Sequence, residues 1–145
     1  VKNNVKHLLL LSISILLLAA TASAQHSETN TSWKDSIKLD QGQKKWQVNS
    51  ATKTGIQQML TAVTKASAEK PAPDPEALQA ELQQSLQHIF KNCDMSGPAH
   101  DNLHTYLVPL IKKVDSLDEK RSPREAQAYL AELKAHLAAF KDYFQ

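Results

Sequence analysis

The chain has 145 residues, 17 of them Lys or Arg and 15 Asp or Glu, with one cysteine, six histidines and three glycines. No Lys/Arg cluster provides the electrostatic footprint that nucleic-acid binding needs, and a single cysteine excludes an intrachain disulfide framework. The glycines lack the spacing of a phosphate-cradling loop, which removes that class of nucleotide site.

Residues 1–24 have the pattern of a cleaved signal peptide. Lys2 and Lys6 give a positive start, Leu8 to Ala20 is an apolar run, and Ala22-Ser23-Ala24 supplies the small-x-small cleavage site. The run is shorter than the ~20 residues a membrane span needs, so an uncleaved anchor is the weaker reading. No cysteine adjoins the cleavage site, so no lipid anchor is expected. Loss of Lys2 and Lys6 leaves 15 charges of each sign and a neutral mature domain. The expected location is periplasmic or secreted, with membrane contact only through the uncleaved signal. A lone thiol in such an oxidising compartment must be buried, metal-bound, reactive or paired with another molecule.

Residues 25–45 are polar and predict a flexible lead-in, with Trp33 and Trp46 as candidates to dock on the domain. Asn30-Thr31-Ser32 is formally a glycosylation sequon, relevant only in a eukaryotic secretory pathway. Residues 46–145 predict four helices. The first runs from an Asn49 or Ser50 cap to Glu69, with Ile56, Met59, Leu60 and Val63 on one face and Gly55 as a weak point. Lys70-Pro71-Ala72-Pro73 breaks it. Asp74 and Pro75 start the second helix, whose face is Leu78, Leu82, Leu86 and Ile89.

Asp94 to Gly97 predicts a turn, and Pro98 starts the third helix. Its face is Leu103, Leu107, Leu110, Ile111, Val114 and Leu117, with a kink expected from Pro109 near Thr105. Ser122, Pro123 and Glu125 open the fourth helix, whose stripe is Ala126, Leu130, Leu133, Leu137, Phe140 and Phe144. No segment alternates like a strand. The expected fold is all-α, an antiparallel up-down-up-down four-helix bundle.

The chemistry concentrates between Cys93 and His104. This stretch holds Cys93, Met95, His100 and His104, and soft sulfur beside imidazole suits Cu(I) or Zn(II) better than Mg or Ca. His100 and His104 are four apart, on one helical stripe continuing through Leu107 and Ile111, so both are expected to border a helix-helix groove. Antiparallel succession of the second and third helices brings the end of one beside the start of the next. Cys93, Met95, His100 and His104 thereby form a candidate metal set, for copper ahead of zinc; for zinc, water or Asp101 would replace Met95. A cationic imidazolium is unfavourable near a helix N-terminus, which favours neutral, ligand-competent rings.

Three other readings compete. Cys93 and Met95 fit a plain bundle end, since Cys is often buried without chemistry, and the protein is then a non-catalytic structural or interaction module with a buried cysteine. Cys93 also fits a thiol-linked dimer. A Cys–His dyad oriented by Asp101 or Asn102 is the third, but no substrate-binding domain surrounds it, so no enzymatic activity is expected. Covalent haem attachment lacks its Cys-x-x-Cys-His motif, leaving only a non-covalent haem between Met59 and His136. His136 otherwise flanks the fourth stripe as a boundary residue.

Lys45-Trp46-Gln47-Val48-Asn49, the Cys-x-Met-x-Gly-x-x-His-x-x-Leu-His pattern from Cys93 to His104, and the ending from Leu137 to Phe144 together resemble small exported helical proteins of Bacteroidetes-type bacteria. The resemblance spans nearly all of the mature chain. It implies a periplasmic bacterial setting and no activity, and no catalytic residue carries over from it.

Overall fold

The computed structural model describes residues 32–145; the signal-peptide expectation lies outside them. The described chain is all-helical: α1 Trp33–Ser36, α2 Ser50–Ala68, α3 Pro75–Lys91, α4 Gly97–Asp115, α5 Pro123–Ala138 and α6 Phe140–Tyr143. Among the described residues the only β pairings are two isolated bridges, Asp40 with Lys44 and Trp46 with Phe144. No helix among them is long and apolar enough to cross a membrane.

Local chemistry sets the helix starts. Asn49 caps α2 by accepting the Thr52 N–H, and Asp74 caps α3 by accepting that of Glu76, with Pro75 opening the helix. At α5 the Ser122 side chain accepts the Glu125 N–H while the Glu125 carboxylate takes the Ser122 N–H, a complete capping box. The Ser122 hydroxyl and N–H both donate to Glu125 and hold its carboxyl below the usual range. Gly97 begins α4 with a φ of +67°, a left-handed conformation that favours glycine. That helix continues through Pro109 to Asp115.

α2 packs on α3 and α5, and α4 on α3, α5 and α1. Gly55 near the start of α2 faces Ile89 near the end of α3. Gln79 near the start of α3 donates to the carbonyls of Val114 and Asp115 at the end of α4. Lys113, late in α4, pairs with Glu132 of α5 at 3.2 Å, while Tyr129 of α5 donates to the Lys113 carbonyl. Met59, Val63, Leu82, Ile89, Leu103, Leu110, Val114 and Leu133 are fully enclosed between the helices. They are the apolar positions whose burial drives the packing.

Two expectations need revision. The fourth helix does not continue to Phe144: it stops at Ala138, and a short α6 follows. The cause is backbone pairing at the chain end. Trp46 N–H donates to the Tyr143 carbonyl, Gln145 N–H to that of Trp46, and Val48 N–H to that of Gln145, at 2.8, 2.9 and 3.1 Å. A continuing α-helix would direct those groups along its own axis. Phe140 and Phe144 nevertheless stay buried and stacked, with centroids 4.9 Å apart.

The lead-in, expected to be loose as far as residue 45, makes packing contacts at Trp33 and Ile37, whereas residues 41–45 are exposed. Ile37 is buried, Lys38 N–H donates to the Asn102 side chain, and the Trp46 indole donates to the Lys38 carbonyl. Trp33 lies on α4 and α5 through Tyr106 and His136.

Candidate functional site

α3 ends at Lys91, and the Asn92 cap turns the chain by donating its N–H to the Ile89 carbonyl. Cys93 follows at once, outside the helix and partly buried. Its Sγ lies 3.6 Å from His100 Nδ1, one turn into α4. His104 stands a further turn along, its ring centroid 4.2 Å from that of His100 with the planes inclined at 46°. The turn between α3 and α4 thus brings the thiol, the first imidazole and the second into one continuous row.

Of the four residues expected to converge, the contacts seen are Cys93 with His100 and His100 with His104. His100 is half-buried, but His104 is exposed instead of facing a groove. The α4 core face is centred on Leu103, Leu107, Leu110 and Val114 with Tyr106 on one flank. Position 104, at 100° from Leu103, falls on the opposite rim. Met95 packs against the apolar core cluster. Among the described residues, no group of three or more His, Cys, Asp or Glu side chains is arranged to hold a metal ion.

The thiol–imidazole pair can act in two ways. It forms a hydrogen bond as it stands, one of Sγ and Nδ1 donating to the other according to the His100 tautomer. It also has the spacing of two ligands on one soft ion. Zinc bonds of about 2.3 Å to sulfur and about 2.0–2.1 Å to nitrogen, at a tetrahedral angle, separate the donors by roughly 3.6 Å.

A second cluster was not anticipated. His136, expected at a boundary, is 3% exposed. Its ring stacks on Trp33 at 4.3 Å and meets Tyr106 edge-on at 4.8 Å. His136 Nε2 lies 3.1 Å from the Tyr106 carbonyl and donates to it, while the Tyr106 hydroxyl donates to the His136 carbonyl at 3.1 Å. This reciprocal pair ties α4 to α5. His136 Nδ1 is buried with no partner, so the ring is held as the neutral Nε2–H tautomer. Burial lowers its pKa to about 4 and pushes the Tyr106 phenol up.

An apolar cleft of about 490 Å³ opens at the other end of α3, lined by Pro73, Leu78, Leu117, Tyr129 and Leu130. Asp118, Glu119 and Arg121 of its charged rim are engaged internally. Arg121 lies 4.0 Å over the Tyr129 ring and donates to the Ser116 and Glu119 carbonyls, and Asp118 accepts from Gln79.

Comparison of the chain with protein-family models, curated proteins and solved structures returns no match.

Proposed function

We propose that the protein is an exported antiparallel up-down-up-down four-helix bundle that binds one soft metal ion, copper ahead of zinc, through Cys93, His100 and His104. Its role in this reading is binding or sequestration in the periplasm, not catalysis. The observation that carries the proposal is the 3.6 Å between Cys93 Sγ and His100 Nδ1, with His104 ring-to-ring behind it. Thiolate and imidazole are soft or borderline donors that suit Cu(I) and Zn(II). Copper is preferred because three protein donors satisfy Cu(I), whereas closed structural zinc sites take four. Met95 is left out of the set because it packs on the apolar core. Contacts of the start of α2 with the end of α3, and of the start of α3 with the end of α4, support the bundle arrangement.

Anaerobic titration of the purified protein with Cu(I) against a chromogenic chelator tests the site. One Cu(I) per chain is expected, lost in both Cys93→Ser and His104→Ala. Full affinity in both variants removes the metal site and leaves the thiol–imidazole contact as a structural hydrogen bond. A reducible band at twice the chain mass would assign the thiol to an intermolecular disulfide instead.

A further inference from the structure

We infer that Asn49 is the positioning residue that aims the Cys93 thiol at His100; its bearing on metal affinity rests on the reading just proposed. Asn49 and Cys93 are far apart in sequence and belong to different elements. Their link is one side-chain amide. Asn49 Oδ1 accepts the Thr52 N–H at 2.9 Å and so caps α2. Both N–H groups of its Nδ2 are directed elsewhere, to the Asn92 carbonyl and to Asp94 Oδ1, each at 2.7 Å. Those two acceptors are the residues immediately before and after Cys93.

The anchor is itself fixed. Val48 is buried and donates its N–H to Gln145, and Trp46 pairs with Tyr143 and Gln145. Asn49 therefore projects from a backbone held by the chain terminus on one side and by α2 on the other. The 92–94 segment is non-helical, and it is clamped on both flanks of the cysteine by donors from a different helix start. This leaves Cys93 little freedom except in its own side-chain torsion, and its Sγ lies against His100.

Capping alone does not explain the choice of asparagine. Asp is as good an N-cap, but a carboxylate has no N–H to donate. At position 49 it would set a negative charge against the Asp94 carboxylate and the Asn92 carbonyl. Asn49→Asp therefore separates the two roles, keeping the cap and removing the clamp.

Three quantities are measured on the full chain: midpoint of thermal unfolding, rate of Cys93 alkylation by iodoacetamide in metal-free protein at one fixed pH, and Cu(I) affinity against a chromogenic chelator. For Asn49→Asp, the unfolding midpoint stays within a few degrees of wild type. The alkylation rate departs from wild type by several-fold as the thiol leaves the imidazole, and Cu(I) affinity falls about tenfold with loss of a charge-assisted hydrogen bond and its neutral companion. Adding Asp94→Asn to that variant lets the new amide at position 94 donate to the carboxylate at 49, which restores one contact and recovers part of both effects. Asn49→Ser, another good cap with no amide to donate, behaves like Asn49→Asp without the charge repulsion. Alkylation and affinity both within about twofold of wild type in Asn49→Asp and Asn49→Ser would overturn the inference. If wild-type protein takes up no Cu(I), the metal reading fails, and the alkylation rates alone decide the role of Asn49.

Discussion

Gly55→Ala is expected to destabilise the protein even though alanine is the better helix former. A Cβ at position 55 would lie 2.5 Å from Ile89 Cγ1, 2.8 Å from Ile89 Cδ1 and 3.2 Å from the Ser85 carbonyl oxygen. Ile89 is fully enclosed, so it has no solvent-side space into which to move. Overpacking of this kind costs about 1–3 kcal/mol, against a propensity gain of about 1 kcal/mol. The net expectation is a loss of about 1 kcal/mol. Ile89→Ala removes both clashing carbons and by itself costs about 2–5 kcal/mol through the cavity it leaves. On that background Gly55→Ala should become stabilising by several tenths of a kcal/mol or more, because only the Ser85 contact remains. Urea unfolding followed by far-ultraviolet circular dichroism, with the m-value checked for constancy, measures all four corners of the cycle. The reasoning fails if Gly55→Ala stabilises the wild-type background, or if the two substitutions add to within about 0.4 kcal/mol.

Stability should fall as the pH drops from about 6.5 to about 4, because His136 is protonated below 6.5 in the unfolded chain but only near 4 in the folded one. The stability is fully present above 6.5, and the loss completed below pH 4 is about 3 kcal/mol. Denaturant melts at intervals across that window should show His136→Phe with a flatter profile, whatever its cost at neutral pH; an unchanged profile would assign the acid sensitivity elsewhere. Ser122→Ala breaks the capping box of α5 and should cost about 1 kcal/mol, read as a drop of a few degrees in Tm. A Tm equal to wild type would mean that tertiary packing alone holds the start of α5.

Helix starts were the most legible part of the sequence because each is a local chemical event. Asn49, Asp74 with Pro75, and Ser122 with Glu125 need no partner outside their own turn. The leucine stripe of α3 was equally plain, since Leu78, Leu82, Leu86 and Ile89 recur at helical spacing and all are buried. Tyr106 and His136 were missed for a common reason. Each occupies the second place of an i, i+3, i+4, i+7 set, Leu103-Tyr106-Leu107-Leu110 and Leu133-His136-Leu137-Phe140, which is a core spacing, yet Tyr106 was left out of the α4 face and His136 was set at a boundary. Buried polar atoms need partners, and the reciprocal hydrogen bonds between α4 and α5 supply them.

The break at Ala139 was hidden because it depends on a strand-like pairing with Trp46, almost a hundred residues away. At the candidate site, the turn between α3 and α4 was legible and so was the meeting of Cys93 with His100. The exposure of His104 and the packing of Met95 on the core were not, because they depend on how α4 is rotated against its neighbours.

Copper K-edge X-ray absorption on the anaerobically loaded protein tests the metal reading most directly. The expected spectrum is that of Cu(I) with one sulfur and two imidazole nitrogens in its shell, and Cys93→Ser should retain no copper after the same loading and desalting. A copper shell without sulfur, or one unchanged by Cys93→Ser, would contradict it.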